Sequence, residues 1–168
     1  MPLSKYAREA TPVRIYKAGS TPAYSNYATA LAGYLVERVS GESFDDYVDK
    51  HIFAVLGMQH ASFRQPLPQA LAPDMSSGYA VASQPSKPYE IVVPAPAGSL
   101  AASGEDMARF MMAHLDNGAS PGGRILGEST AQMMHSTPTD MIPPLNRMDL
   151  GFYEQDYNGH RKIGRAHV

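Results

Sequence analysis

A tyrosine and an asparagine stand two positions apart in Tyr24-Ser25-Asn26, where a loop leads into a helical pattern. A phenol at such a junction could act as a general base if a neighbouring lysine lowered its pKa. An amide can both donate a hydrogen bond to a substrate amide and accept one from it. The same triplet is also typical of an ordinary helix start with the tyrosine packed against the first turn, so by itself it does not select a function.

Helical periodicity begins directly after Asn26 and predicts the helix that positions the triplet. Ser25 or Asn26 can cap its start, and Gly41 fits the left-handed position that follows a helix C-terminus. Four apolar residues at spacings of three and four form its predicted packed face: Ala28, Leu31, Leu35 and Val39. The candidate chemistry therefore lies at the amino end of a predicted amphipathic helix.

Three more helices and one hairpin are predicted farther along the chain. Ser43 and Ser103 each precede helical periodicity and carry an aspartate three positions later, which is typical of a helix start. A short helix follows near residues 128–134. An Asn-Gly dipeptide inside residues 152–163 predicts a β-hairpin.

Loops are predicted for the other long stretches. Residues 1–22 are predicted to be extended or looped, with a short strand at 13–16. Residues 64–96 contain seven prolines, which argue against long helices. Short strands are predicted within that segment near 78–80 and 90–93.

Composition and charge exclude several classes of protein. The chain has 168 residues and a net charge of -2, so it lacks the basic surface that nucleic-acid binding needs. It has no cysteine, and its six histidines show no metal-ligand spacing, so we predict no metal and no cofactor. No apolar run approaches the roughly 20 residues that span a bilayer. The first residues also lack the apolar stretch of a signal peptide, so either the protein is cytoplasmic or this N-terminus is not the native one.

Several sequence blocks, in order and spacing, resemble the serine β-lactamase-like superfamily of class C β-lactamases, D-alanyl-D-alanine carboxypeptidases and family VIII esterases. The blocks are Tyr24-Ser25-Asn26-Tyr27, residues 30–41, Ser43-Phe44, Leu56-Gly57-Met58, residues 96–100 and residues 103–111. The resemblance extends from about residue 10 to about residue 163 and is specific because separate blocks agree. It implies an α/β (α+β) fold of the β-lactamase/transpeptidase type, represented here mainly by the helical subdomain and a late β-hairpin.

The resemblance also implies a mechanism. In that superfamily, a serine in a Ser-x-x-Lys motif attacks an acyl carbonyl, and the resulting acyl-enzyme is hydrolysed. Tyr24 matches the catalytic tyrosine, which shares the base role with the lysine. Asn26 matches the substrate-binding asparagine, which helps hold the substrate or the motif lysine. The implied partner is a small-molecule or peptide acyl substrate, namely a β-lactam, a D-amino-acid peptide or an ester.

Two of the superfamily's three motifs are absent from the sequence. No serine is followed by a lysine three positions later, and Lys-Thr-Gly does not occur. We therefore interpret residues 1–163 as a partial domain whose parent carries its nucleophile upstream of Tyr24 and resides in the periplasm or another extracytoplasmic space. Residues 164–168 are interpreted as a non-native tail, because Ile-Gly-Arg-Ala-His-Val can be encoded by read-through of a sequencing adapter. The alternative is a non-catalytic homologue that binds peptide or cell-wall ligand.

Overall fold

The computed structural model describes residues 1–21, 23–136 and 147–164. The chain divides into two compact units. The first comprises Met1–Val13 and Ser25–Phe110, and the second comprises Arg14–Tyr24 and Met111–Val168. Each unit is described separately below.

The first unit begins with a helix that the sequence analysis did not predict, α1 at Leu3–Glu9. Its composition of Leu, Lys, Ala, Arg and Glu favours a helix, and Lys5 and Glu9 form an ion pair of 3.9 Å one turn apart. The prediction of extended structure for 1–22 was wrong here. The strand expected at 13–16 is also not formed, because Val13 and Ile15 have no neighbouring strand and are exposed.

Helix α2 at Asn26–Ser40 confirms the predicted start and end. Ser25 is extended, and its hydroxyl accepts the backbone N–H of Ala28 at 3.1 Å. Gly41 ends the helix with φ 76°, a left-handed conformation that glycine adopts at little cost.

The packed face of α2 differs from the predicted one. Ala30 and Gly33 are buried, whereas Leu35 is 55% exposed and Val39 is 88% exposed. The hydrophobic period was therefore recognised correctly, but the side of the helix that contacts the rest of the first unit was assigned wrongly. Gly33 occupies the contact because the rings of Pro96 and Phe44 approach closely there.

A second helical segment comprises α3 at Phe44–Val48, a π-helical turn at Asp49–Phe53 and α4 at Ala54–Leu56. Its predicted cap is confirmed. The Ser43 hydroxyl accepts the Asp46 N–H at 3.2 Å and donates to the Asp46 carboxylate at 2.6 Å. The buried apolar residues of this part of the first unit are Val48, Phe53, Leu56, Met58 and Ala61.

The proline-rich segment 64–96 is irregular, as predicted, apart from a 3-10 turn at Ala72–Asp74. Another 3-10 turn follows at Ala95–Ala97. The strand predicted near 78–80 is reduced to a single bridge between Gly78 and Lys87, and no strand forms at 90–93. At Val92 the backbone groups bond to the side-chain amide of Gln65, at 2.6 and 2.7 Å, in place of a neighbouring strand.

Helix α5 at Gly104–Leu115 confirms the predicted third helix. The Ser103 hydroxyl accepts the Asp106 N–H at 3.1 Å at its start. Asn117 and Gly118, with φ 49° and 88°, form the left-handed turn that follows it. The residues of α5 from Met111 onward belong to the second unit.

The second unit contains a small hairpin, one helix and a three-stranded antiparallel sheet. The hairpin pairs β1 at Ala119–Ser120 with β2 at Gly123–Arg124, and α6 follows at Glu128–Met134. The sheet has the order β3, β4, β5, with these strands at Arg147–Met148, Tyr153–Tyr157 and His160–Gly164.

The predicted late hairpin is confirmed, with Asn158 and Gly159 both at positive φ between paired Tyr157 and His160. Strands β1, β2 and β3 were not predicted, because a two-residue strand is too short to show an alternation of apolar and polar residues. The tail proposed at 164–168 lies outside the described residues except for Gly164, the last residue of β5. No helix in the described part of the chain has both the length and the apolar character to cross a bilayer.

Candidate active site

The two candidate site residues lie on either side of the N-cap of α2. Tyr24 immediately precedes the cap, and its side chain is 56% exposed. Asn26 is the first residue of the helix and is also exposed. Ser25, between them, uses its hydroxyl to cap the helix and is therefore engaged in structure. Tyr24, the last residue of a segment of the second unit, and Asn26, in the first unit, are thus both exposed residues.

The first turn of α2 is fastened to α1 by a tyrosine that the sequence analysis quoted but gave no role. The Tyr27 hydroxyl donates to the carbonyl oxygen of Ala7 at 2.9 Å and lies 3.3 Å from the Thr11 hydroxyl. Its ring also lies against that of Tyr6, with centroids 6.3 Å apart. These contacts hold the helix end that carries Asn26. They join residues about 20 positions apart in sequence, so no local pattern could have indicated them.

The middle of α2 is held by close packing against the 3-10 turn at Ala95–Ala97. A Cβ placed on Gly33 would lie 2.7 Å from Cγ of Pro96 and 3.3 Å from the ring of Phe44. Glu37 adds a polar link, because its carboxylate accepts the Phe44 N–H at 3.1 Å. The helix that presents Asn26 is therefore fixed at its start and along its length.

Ser99 occupies the small-residue loop after this turn but is not available as a nucleophile. It is 3% exposed, and its hydroxyl lies 2.7 Å from the Ala95 carbonyl oxygen and 2.9 Å from that of Phe63. Its role in this structure is to join two loop segments.

Charged pairs stabilise the helical segment that follows α2. Arg64 contacts Asp46 at 2.5 Å and Asp49 at 2.9 Å. The hydrogen bond from Ser43, followed by that from Arg64, lowers the pKa of Asp46. These residues have structural partners, and they are exposed enough that each pair contributes little stability individually.

Among the described residues of the first unit, two of the open clefts have volumes of about 710 Å³ and about 580 Å³. They share four lining residues: Met75, Ser76, Leu100 and Ala101. Neither cleft is lined by Tyr24 or Asn26. Among the residues that the structure describes, no group of three or more His, Cys, Asp or Glu side chains converges to hold a metal ion.

The Beta-lactamase family model matches residues 5–165. This chain belongs to the Beta-lactamase family. Penicillin-binding protein 4 of Amycolatopsis lactamdurans is 28% identical over 135 residues, covering 77% of this chain and 35% of that protein. A putative D-alanyl-D-alanine carboxypeptidase of Escherichia coli K12 is 40% identical over 53 residues, covering 32% of this chain and 12% of that protein.

Solved structures confirm the predicted fold class. A penicillin-binding protein from Bacillus halodurans superposes with a TM-score of 0.73 at 20% identity, over 95% of this chain and 48% of that one. A class C β-lactamase gives a TM-score of 0.67 at 18% identity, over 86% of this chain and 38% of that one. The mixed helix-and-sheet fold is therefore that of β-lactamases and transpeptidases. The chain spans less than half the length of each of these relatives.

Proposed function

We propose that this chain is the part of a serine hydrolase that carries the catalytic tyrosine and the substrate-binding asparagine, Tyr24 and Asn26. The observation that carries the proposal is the position of both residues at the capped, solvent-accessible start of α2, in a chain of the Beta-lactamase family. In this proposal the protein transfers an acyl group to water through a serine ester.

Tyr24 supplies the proton-transfer group in the proposed mechanism. Its phenol passes a proton between the serine hydroxyl, the motif lysine and the leaving group as the serine attacks the acyl carbonyl. Asn26 accepts and donates hydrogen bonds with the substrate amide. The serine and its lysine belong to chain outside residues 1–168, because no Ser-x-x-Lys occurs within them.

The proposed substrates are β-lactams, D-amino-acid peptides and esters. Support comes from similar proteins, which include a penicillin-binding protein, a putative D-alanyl-D-alanine carboxypeptidase and a D-amino acid amidase from Ochrobactrum anthropi. We further propose a periplasmic or other extracytoplasmic location for the parent, where such substrates are met.

An activity assay tests whether catalysis needs both Tyr24 and a nucleophile outside residues 1–168. The purified chain should turn over neither a chromogenic cephalosporin nor short-chain p-nitrophenyl esters, because it lacks the nucleophile. A parent chain with an upstream Ser-x-x-Lys should be active, and Tyr24→Phe should lower its turnover about 10²–10⁴-fold. Tyr79→Phe, at an exposed tyrosine outside the motif, serves as the matched control. Near-normal turnover by a folded Tyr24→Phe enzyme would refute the role of the phenol.

The second candidate function is that of a non-catalytic homologue that binds peptide or cell-wall ligand. The absence of the nucleophile motif from the sequence favours it. The encoding DNA separates the two candidates. An open frame upstream of Met1 that reaches a Ser-x-x-Lys supports the hydrolase, whereas an in-frame stop followed by a ribosome-binding site supports the binding protein.

A further inference from the structure

Two histidines of the second unit meet ring to ring. His114 lies in the last turn of α5, and His135 directly follows α6. Nδ1 of His114 lies 3.1 Å from Nε2 of His135, and the ring centroids are 5.2 Å apart. Phe152 stands edge-on to both rings, at 5.0 and 5.3 Å. The two facing nitrogens belong to different helical elements, so the fold, not local sequence, brings them together.

We propose that His114 and His135 form a two-imidazole binding site for a divalent transition metal ion of the Zn²⁺ type. Metal-to-imidazole bonds measure about 2.0–2.1 Å, so nitrogens 3.1 Å apart give a nitrogen–metal–nitrogen angle of about 95–102°. That angle lies between the octahedral and tetrahedral values. Imidazole nitrogen suits zinc, copper and nickel. Water fills the remaining coordination positions, since no third side-chain ligand converges among the described residues.

The two facing nitrogens share one hydrogen bond, so a bound ion must replace that bond. In the neutral pair one facing nitrogen carries a proton, and coordination needs both facing lone pairs. That proton moves to the far nitrogen of the same ring, so the neutral pair binds the ion without releasing a proton. In the triangle formed by the two nitrogens and the ion, the angle at each nitrogen is about 40°. Each ring therefore turns by about 40°, so that its lone pair points at the ion instead of at the other nitrogen.

Hydrogen bonds fix the backbone of His135 beneath the site. The backbone N–H of His135 donates to the Ala131 carbonyl at 3.1 Å, and Arg161 donates to the His135 carbonyl. The charge of Arg161 is offset by Glu154, at 2.7 Å, and by Asp149, at 3.9 Å. His114 is buried, whereas His135 is partly exposed.

Zinc titration of the purified chain against a chromophoric chelator tests the site. We expect one equivalent to bind, and His135→Ala and His114→Asn each to weaken binding about tenfold or more. His160→Ala removes an exposed histidine of β5 and should leave the affinity unchanged. Far-ultraviolet circular dichroism of each variant separates loss of a ligand from loss of the fold.

Nitrogen NMR of the histidine rings gives a second measurement that needs no variant. Zinc should shift Nδ1 of His114 and Nε2 of His135 selectively, because these two nitrogens face each other. The proposal is overturned if His135→Ala binds zinc as tightly as the unaltered chain, or if zinc shifts the nitrogens of other histidines instead. The proposal does not depend on the hydrolase assignment, and neither outcome bears on Tyr24.

Discussion

Gly33 and Pro96 are in such close contact that the helix position has no room for a side chain. A Cβ on Gly33 would lie 2.7 Å from Cγ of Pro96, closer than carbon atoms approach without displacement. The two residues are 63 positions apart, and their contact joins α2 to the 3-10 turn at Ala95–Ala97. The glycine is therefore required by packing, although a mid-helix glycine is unfavourable in itself.

Gly33→Val should destabilise the first unit. Overpacking costs about 1–3 kcal/mol, which exceeds the few tenths of a kcal/mol of helix propensity that valine gains over glycine. Urea unfolding followed by circular dichroism measures the loss. Gly104→Ala is the matched control, because a Cβ there meets no atom within 4 Å and alanine favours the helix. If the valine variant were as stable as the control, the contact with Pro96 would not be a real constraint.

Ser25→Ala should loosen the helix end that presents Asn26. The serine hydroxyl accepts the Ala28 N–H at 3.1 Å, and losing such a cap costs about 1 kcal/mol. Hydrogen exchange should therefore accelerate at the amide of Ala28. Ser77→Ala, at an exposed serine outside any helix, is expected to leave that exchange rate unchanged. Equal exchange in both variants would show that the cap does not hold the first turn.

The elements that could be predicted are those specified by neighbouring residues. Ser25, Ser43 and Gly41 acted as caps because each bonds to a backbone group within four positions. The Asn-Gly turn of the β4–β5 hairpin is equally local. The site roles of Tyr24 and Asn26 rest instead on the family resemblance, and they stay predictions.

The elements that could not be predicted depend on distant residues. Periodicity showed that α2 has an apolar face but not that Ala30 and Gly33, instead of Leu35, would be buried. That choice is made by Pro96, far along the chain. Similarly, the bond from Tyr27 to Ala7 depends on α1 lying beside α2. The missing information in each case was which element packs against which.

Asp106→Ala should destabilise the first unit because the buried aspartate binds the backbone of the loop that contains His60. The carboxylate is buried and accepts the His60 N–H at 2.6 Å. Removing the acceptor leaves that N–H without its partner, at a cost of about 1–3 kcal/mol. Thermal unfolding measures the change, and Asp116→Ala, at an exposed aspartate, should behave like the unaltered chain. A similar small loss in both variants would contradict the structural role of Asp106.

The second unit should lose stability as the pH falls below about 6.5. Burial first, and His135 second, lower the pKa of His114 in the folded state, so between its folded and unfolded pKa values the unfolded chain binds more protons. The stabilising contribution of the neutral ring is therefore fully present above the unfolded pKa. It diminishes as the pH falls through 6.5 towards the folded pKa.

Urea unfolding isolates this contribution. The midpoints of the unaltered chain and of His114→Asn are measured between pH 8 and pH 5 with a chelator present. The chelator is needed because a bound metal ion would compete with protons for the same nitrogens. The difference between the two midpoints should change between pH 7 and pH 5, in the direction of a weaker advantage for histidine at low pH. His160→Asn, which alters an exposed histidine of β5, should retain the pH dependence of the unaltered chain. Parallel pH profiles for the unaltered chain and His114→Asn would show that the buried ring does not titrate with folding.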